Sequence, residues 1–314
     1  MTTFAAATPL EASAERDLPP EVAGLPPEVV AQIRRIEIRA RRLASTLLAG
    51  DYRSVFRGSG IEFAEAREYT PGDDVRRIDW NVTARMGTPW VKEYVEEREL
   101  SVICTVDVSA SQYAASPLAG RIGLAAELVA LLGFTAAYNN DRSGLLTFSA
   151  GPQRFVPPAR GARHVLRLVR EVLNHAEAPR GTDLTSTCDH LARVLPRRSA
   201  IFLITDGFAS GFESTLRTLA RRHEVIALTL VDPMDLALPD LGLVHLEDAE
   251  SGRRVLLDTS SAEVRRRYAR AAEERAAARR ASFASSGVEE VELVIGEDYV
   301  PPLLRFFRRR AARR

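Results

Sequence analysis

A chain of 314 residues, with 46% hydrophobic and 27% charged residues, has an ordinary globular composition and is long enough for one large α/β domain with attachments. Its formal net charge of +1 excludes a global electrostatic attraction to nucleic acid. Of its 43 basic residues only Lys92 is a lysine, and Glu93 follows it, which excludes a Walker A phosphate-binding loop.

The first residues predict an arm followed by a helix. Residues 1–26 lack the basic start and long apolar core of a signal peptide, and their prolines indicate a loose arm. Residues 27–56 are predicted to form an amphipathic helix that begins at Pro26–Pro27–Glu28, with one apolar face and one arginine-rich face. We interpret the arginine face as solvated, with an acidic docking partner as the alternative.

Residues 57–99 differ in character from the rest of the chain. They are dense in charge and aromatic residues, and Pro71–Gly72 marks a turn. Strands near Ile61–Tyr69 and Trp90–Glu97 are predicted to flank a compact middle. We therefore expect a smaller β-rich extension before the first core strand.

Residues 100–246 alternate between short apolar strands and helices, which predicts an α/β fold with a doubly wound, mainly parallel sheet. The most apolar stretch, Ile122–Tyr138, is short for a membrane span and is interrupted by Glu127, so we predict a buried helix and no transmembrane segment. The predicted strands are Ser101–Val106, Gly144–Phe148, Gln153–Val156, Ala200–Ile204 and Val225–Val231, and the predicted helices are Gly120–Tyr138, Arg163–Asn174, Leu184–Leu195 and Phe212–Arg222.

Residues 247–314 are predicted to form the C-terminal part of the chain, after the core. It completes a hairpin of Leu243–Glu247 with Arg254–Asp258 and continues with a long helix, Ser261–Ser282, and a last strand, Val288–Ile295. The arginine-rich end predicts a helix packed by its apolar face, with a membrane-surface or acidic-partner tail as the alternative.

Three separate segments bring oxygen-bearing side chains to one edge of the predicted sheet. One strand ends in Asp107-x-Ser109-x-Ser111, another ends at Asp206, and Thr182 lies just before a helix. The carboxyl ends of parallel strands meet at the edge where doubly wound sheets bind ligands. Two carboxylates and three hydroxyls, without histidine or cysteine, suit Mg²⁺, Mn²⁺ or Ca²⁺ rather than Zn²⁺. Because hydroxyls are neutral ligands, an acidic side chain from another molecule could complete the coordination.

These five residues resemble the metal-ion-dependent adhesion site of von Willebrand factor A domains. The resemblance implies that the serines touch the metal directly and that the aspartates act partly through water. It also implies a von Willebrand factor A-like fold and a protein-binding rather than a catalytic surface.

A second resemblance covers more of the chain. The segment RGSGIEFAEAREYTPGDDVRRIDWNVTARMGTPWVKEYVEERE, placed directly before such a strand, is similar to the bacterial family called domain of unknown function 58. Members of that family are commonly associated with MoxR-type AAA+ ATPases. The resemblance implies an accessory role beside an ATP-driven chaperone, in a protein without the two amino-terminal membrane helices of many relatives.

The extension offers a second candidate site. Its charged and aromatic side chains either satisfy one another in an ion-pair network or bind a partner, since exposed tryptophan and arginine are typical interface anchors. The candidate partner-binding residues are Arg67, Tyr69, Asp74, Arg77 and Trp80.

We therefore expect a non-catalytic, metal-dependent adaptor or co-chaperone for a MoxR-type AAA+ ATPase or for a client with an acidic side chain. The alternative is a metal-assisted hydrolase of phosphate or carboxylate esters, with Asp183 as its only obvious base. Cys104 and Cys188 are predicted to be buried thiols of a reducing compartment. The expected location is cytoplasmic, with peripheral attachment to the inner face of the membrane as an option.

Overall fold

The computed structural model divides the chain into two compact units. One comprises residues 1–55 and 101–314, and the other comprises residues 56–100. The predicted arm and the second part of the predicted helix 27–56 fall largely outside the described residues. The structure describes residues 25–45, 52, 60–97, 100–113, 120–174, 181–249 and 252–313.

The predicted helices and strands occur in the predicted order, with bounds that differ by a few residues, and two short helices, Trp80–Met86 and Pro233–Leu236, were not predicted. The helices are α1 Pro27–Leu43, α2 Trp80–Met86, α3 Arg121–Tyr138, α4 Ala162–Leu173, α5 Leu184–Val194, α6 Glu213–Arg222, α7 Pro233–Leu236, α8 Ala262–Ser285 and α9 Val300–Ala311. The strands are β1 Gly60–Glu68, β2 Trp90–Glu97, β3 Ser101–Asp107, β4 Arg142–Phe148, β5 Pro152–Ala159, β6 Ala200–Thr205, β7 Glu224–Val231, β8 Leu243–Glu247, β9 Arg254–Asp258 and β10 Glu289–Val294.

The larger unit is built on a six-stranded sheet of order β10-β7-β6-β3-β4-β5. All neighbouring strands are parallel except β5, which pairs antiparallel with β4. The predicted mixed α/β architecture with a mainly parallel sheet is therefore confirmed.

The order of the strands contains a switch point between β3 and β6. From β3 the chain continues through α3 to β4 and β5 on one side, and it later returns to lay β6, β7 and β10 on the other side. At such a switch point, the loops that follow the two strands turn away from each other and leave a crevice at the carboxyl ends of the strands. Doubly wound sheets bind their ligands in this crevice.

Helices cover both faces of the sheet. On one face, Leu184 of α5, Leu216 of α6 and Phe283 of α8 pack with Ile103 and Leu203 in one buried core cluster. On the opposite face, the ring of Phe307 in α9 lies 6.5 Å from that of Phe202 in β6.

Helix α3 is the most apolar helix of the described residues. It is long and apolar enough to cross a membrane by length and composition alone, a test that core helices of soluble proteins also pass. Here 78% of it is buried inside the fold. Its Gly133 approaches α4 so closely that a Cβ there would lie 2.8 Å from Cγ1 of Val165.

Helix α1 has the predicted two faces. Ile33 and Ile36 are buried, whereas Arg34 and Arg35 are exposed. Arg39, on the basic face, bonds to Oε2 of Glu127 in α3 at 3.1 Å, so part of this face attaches the helix to the core.

The predicted boundary at residue 247 lies within the larger unit of the chain. That boundary falls at the end of β8, which pairs antiparallel with β9. Strand β10 then lies parallel to β7 in the main sheet. The C-terminal residues thus contribute to the core, since β10 forms an edge of the main sheet and α9 packs against one of its faces.

The smaller unit is an antiparallel hairpin with a short insertion. Strands β1 and β2 pair in register from Gly60↔Glu97 to Glu68↔Trp90, with an irregularity between Phe63 and Glu65. Between them, Asp79 caps the N-terminus of α2, and Gly87 follows its last residue with a left-handed φ of 77° that glycine adopts readily.

Candidate metal centre

Four of the five predicted metal ligands meet at the crevice between β3 and β6. Asp107 is the last residue of β3, and Ser109 and Ser111 lie in the turn that follows it. Asp206 comes directly after β6. These two strands are paired in parallel from Val102↔Ala200 to Val106↔Ile204, so their carboxyl ends lie side by side.

Hydrogen bonds join these side chains directly. The hydroxyl of Ser111 donates to Oδ2 of Asp206 at 2.7 Å, and the two serine hydroxyls, Ser109 and Ser111, are 3.1 Å apart. Oδ1 of Asp107 accepts from the backbone N–H of Ser109 at 2.9 Å. The side chains of β3 and β6 thus form one continuous oxygen-rich cluster.

Thr182 lies at the same edge but is not bonded into this cluster. The backbone N–H of its neighbour Asp183 donates to the carbonyl of Ser149, at the carboxyl end of β4, at 2.7 Å. Within the described part of the chain, no hydrogen bond joins the half-buried Thr182 hydroxyl to the other four ligands. The backbone bond therefore places this loop beside the cluster.

The two carboxyl groups carry a high electrostatic cost when both are ionised. Asp107 and Asp206 are 1% and 3% exposed. Burial, and then the charge of Asp206, raises the pKa of Asp107 to about 7. Burial also raises the pKa of Asp206, although the Ser111 hydrogen bond and the Arg121 charge act in the opposite direction. A cation placed between the two carboxylates would remove this cost.

Two further residues belong to the cluster, and neither was predicted from the sequence. The Thr205 hydroxyl donates to Oδ2 of Asp107 at 2.9 Å, and buried Gln112 donates from Nε2 to Oδ2 of Asp206 at 2.9 Å. The polar Thr205 at the end of the apolar strand β6 was an available signal. Gln112 follows Ser111 in a turn, and no sequence pattern distinguishes it.

Arg121 holds the backbone of the turn that carries Ser109 and Ser111, which is called the serine turn below. This buried arginine, at the start of α3, donates from Nη1 to the carbonyl of Ser111 at 2.9 Å and forms an ion pair with Asp235 of α7. The Arg121–Asp235 ion pair could not be predicted from the sequence, because the two residues are 114 positions apart.

The donor set fits a hard divalent cation. It consists of two carboxylates and neutral hydroxyls, and it contains no nitrogen or sulfur ligand. In the part of the chain that the structure describes, no group of three or more His, Cys, Asp or Glu side chains could hold a metal. A cation at this edge would thus depend on serine hydroxyls as much as on carboxylates.

Asp183 is already engaged. Its Oδ1 accepts from the backbone N–H of Ser186 at 3.0 Å as the N-cap of α5. A capping carboxylate stabilises the first turn of a helix, so its position is explained without a role as a general base.

The candidate partner-binding residues of the smaller unit fall into two classes. Arg67 forms a two-bonded fork with Asp73, both bonds 2.7 Å long, and Oδ1 of Asp74 accepts from the backbone N–H of Arg76. These contacts belong to the self-satisfied network. Half-buried Tyr69 is held by a backbone bond to the Pro89 carbonyl.

Trp80 and Arg77 face solvent. The Trp80 side chain is 70% exposed, and Arg77 makes no ion pair among the described residues. Val75 and Met86, close by in sequence, are also exposed apolar residues. The backbone beneath them is held firmly, because Oδ1 of Asp79 accepts from two N–H groups of α2.

Comparison with known proteins gives relatives along nearly the whole chain. The uncharacterized protein Rv1480 of Mycobacterium tuberculosis is 35% identical over 297 residues, which cover 91% of this chain and 92% of that protein. The uncharacterized protein MAV169 of Mycobacterium avium is 36% identical over 163 residues, covering 49% and 92%. Among solved structures, BatB from Bacteroides thetaiotaomicron covers 68% of this chain and 99% of its own, with 17% identity and a TM-score of 0.44.

The family comparison matches residues 65–278 to a model described as protein of unknown function DUF58. The match extends from the hairpin of the smaller unit, through both aspartates of the candidate metal centre, into α8. The chain therefore belongs to the DUF58 family.

Proposed function

We propose that this protein is a metal-dependent protein-binding adaptor whose larger unit is a von Willebrand factor A-like domain. The metal-ion-dependent adhesion site would consist of Asp107, Ser109, Ser111, Thr182 and Asp206. The ion would be Mg²⁺, Mn²⁺ or Ca²⁺, and an acidic side chain of a bound protein would complete its coordination.

The observation that carries this proposal is the 2.7 Å bond from Ser111 to Asp206. It joins the motif after β3 to the aspartate after β6, across the switch point of the sheet. Two buried carboxylates with raised pKa values and hydroxyls as their immediate neighbours are suited to a hard cation.

The remaining residues of the cluster have structural roles in this proposal. Thr205 and Gln112 orient the two carboxylates, and Arg121 holds the backbone of the serine turn. A bound cation supplies an electrophilic site for a carboxylate ligand. Hydroxyl ligands leave part of its charge uncompensated, which favours a negatively charged partner.

The proposed partner that supplies energy is a MoxR-type AAA+ ATPase. The chain has no Walker A loop of its own, so ATP-driven work would be done by another protein. Exposed Trp80 and Arg77 give the smaller unit a candidate surface for this contact. A cytoplasmic location is part of the same proposal.

The alternative hydrolase has weaker support. It needs a general base near the cation, and Asp183, the candidate from sequence, serves as a helix cap.

Calorimetric titration and thermal unfolding with Mg²⁺ or Mn²⁺ test the metal site. At a metal concentration of about 100 times Kd, the native state should gain roughly 2.7 kcal/mol relative to protein in chelator. Asp107→Ala should abolish both the binding heat and the gain while the far-UV circular dichroism stays native.

Asp189→Asn is the matched control, since this aspartate is exposed on α5 and takes no part in the cluster. Its metal response should equal that of the wild type. An equal response in Asp107→Ala would refute the metal centre.

A further inference from the structure

An apolar rim lies beside the candidate metal centre. Residues Phe208 and Leu236 are 50% and 44% exposed. Phe208 follows Asp206 by two residues and donates its backbone N–H to Oδ1 of that aspartate at 3.2 Å. Leu236 lies on α7, which follows β7, and β7 pairs in parallel with β6. Both residues therefore stand at the same edge of the sheet as the cluster.

The rim is held in place by the same contacts that hold the cluster. Asp235, next to Leu236, forms an ion pair with Arg121, whose Nη1 bonds to the carbonyl of Ser111. The Tyr268 hydroxyl of α8 donates to the carbonyl of Met234 at 3.0 Å. Exposed apolar side chains on so firmly fixed a backbone are pre-organised for contact, which lowers the entropy lost on binding.

A narrow cleft separates this rim from α8. Phe208, Asp235 and Leu236 line one side, and Arg275 and Arg279 line the other. The cleft holds about 20 Å³, which is room for roughly one water molecule. An apolar side chain from a partner would therefore pack over Phe208 and Leu236 and would not enter the cleft.

The guanidinium groups at this edge differ in their pairing. Arg121 is paired with Asp235, and Arg279 is paired with Glu290 and Glu292 at 2.7 and 2.6 Å. Arg275 is exposed and lies 5.8 Å above the ring of Tyr268. Among the described residues it forms no salt bridge with a carboxylate, so its guanidinium group can pair with an acidic side chain beside the rim.

We propose that the partner segment presents a bulky apolar residue between two acidic residues. One carboxylate would ligate the metal, the apolar side chain would cover Phe208 and Leu236, and the second carboxylate would pair with Arg275. This proposal rests on the metal centre proposed above. Specificity for the partner would then come from the rim as well as from the ion.

The test uses short, terminally blocked peptides built on Asp-Leu-Glu, in a set that varies the spacing of the two acids, with the full-length protein in saturating Mn²⁺. Binding of Mn²⁺ is first measured by calorimetry without peptide. The tightest peptide is then compared with its Leu→Ser and Glu→Gln forms. Phe208→Ser should weaken binding about tenfold, because roughly 1.4 kcal/mol of apolar contact is lost.

Arg275→Gln provides the double-mutant cycle. It and the Glu→Gln peptide should each weaken binding several-fold, and the combination should be no weaker than either change alone, since both remove the same pair. The matched controls are Leu243→Ser, which replaces a leucine 70% exposed on β8, and Arg270→Gln, which replaces an exposed arginine of α8. Neither control should change the affinity.

The outcomes distinguish the two proposals. Absence of Mn²⁺ binding overturns the metal centre and this proposal with it. If Mn²⁺ binds but no peptide does, or the losses from Arg275→Gln and Glu→Gln add, only the rim proposal is overturned. Mn²⁺-dependent self-association that Phe208→Ser abolishes would assign the rim to a second copy of this chain and overturn the assignment to a separate partner.

Discussion

The hydroxyl of Thr205 donates to Oδ2 of Asp107 at 2.9 Å, from the last residue of β6 to the last residue of β3. The same hydroxyl accepts the backbone N–H of Gly207 at 3.1 Å. One small side chain therefore fixes a carboxylate of the candidate metal centre and the turn that carries Asp206 away from the sheet.

Thr205→Val should destabilise the metal-free protein by about 1–3 kcal/mol. Valine has nearly the shape of threonine but no hydroxyl, so the substitution leaves the buried Oδ2 of Asp107 without its donor. Urea unfolding in chelator measures this loss. Thr218→Val is the control, since its hydroxyl bonds to the Ser214 carbonyl on the exposed surface of α6. A loss in Thr205→Val no larger than in the control would contradict the assigned role.

The Arg67–Asp73 ion pair should make the stability of the smaller unit depend on pH in the acid range. The hydrogen bonds from Arg67, and then those from Thr70, hold the pKa of Asp73 below its usual value of 3.8. A depressed pKa means that the stabilising contribution is complete above the unfolded value and is lost as the pH falls through the folded one. Between these values the unfolded state binds more protons, so stability falls with acidification.

Tryptophan fluorescence can follow this transition, because both tryptophans of the chain, Trp80 and Trp90, lie in the smaller unit. Arg67→Gln should shift the acid midpoint of the fluorescence upward, toward the ordinary aspartate range. Arg85→Gln, which replaces an exposed arginine of α2, should leave it unchanged. Equal midpoints in Arg67→Gln and the wild type would show that the fork does not stabilise the unit.

Trp80→Ser should impair binding of the proposed AAA+ ATPase without affecting the fold. The side chain is exposed, so the free energy of unfolding should change by less than about 0.5 kcal/mol. Loss of an interface tryptophan at a hot spot costs about 2 kcal/mol or more, which corresponds to a roughly 30-fold weaker complex. Surface-based binding assays with the purified ATPase measure it. An equal loss of affinity in Leu243→Ser, on the other unit, would argue against a specific Trp80 surface.

Gly133→Ala should destabilise the larger unit although alanine is the better helix former. The added methyl would lie 2.8 Å from Cγ1 of Val165, and overpacking of about 1–3 kcal/mol should exceed a helix gain of at most about 1 kcal/mol. Thermal unfolding measures the difference. In a Val165→Ala background the same substitution should cost less, and an equal cost in both backgrounds would locate the strain elsewhere.

Local patterns predicted the elements of the fold well. Apolar runs located the strands that lead to Asp107 and Asp206, and the rule that parallel strands share a carboxyl edge predicted that the two aspartates lie side by side. The β8–β9 hairpin was also predicted with correct bounds, because Ser251–Gly252 marks its turn within the sequence itself.

Contacts between distant elements could not be predicted in the same way. The place of β10 beside β7 depends on where the chain returns after α8, and the apolar pattern of a strand does not encode its neighbour. The Arg121–Asp235 ion pair and the bond from Gln112 to Asp206 arise from packing, and single charged or amide residues carry no signal of their partner.

The switch point between β3 and β6 also has a kinetic consequence. These strands are adjacent in the sheet, yet about a hundred residues separate them in the chain, so their pairing closes a long loop and is costly early in folding. A cation held by both strands would contribute only after that closure. Metal binding should therefore lower the unfolding rate of the sheet and leave its folding rate nearly unchanged. The metal-loaded protein would stay folded for longer, although it would not fold faster.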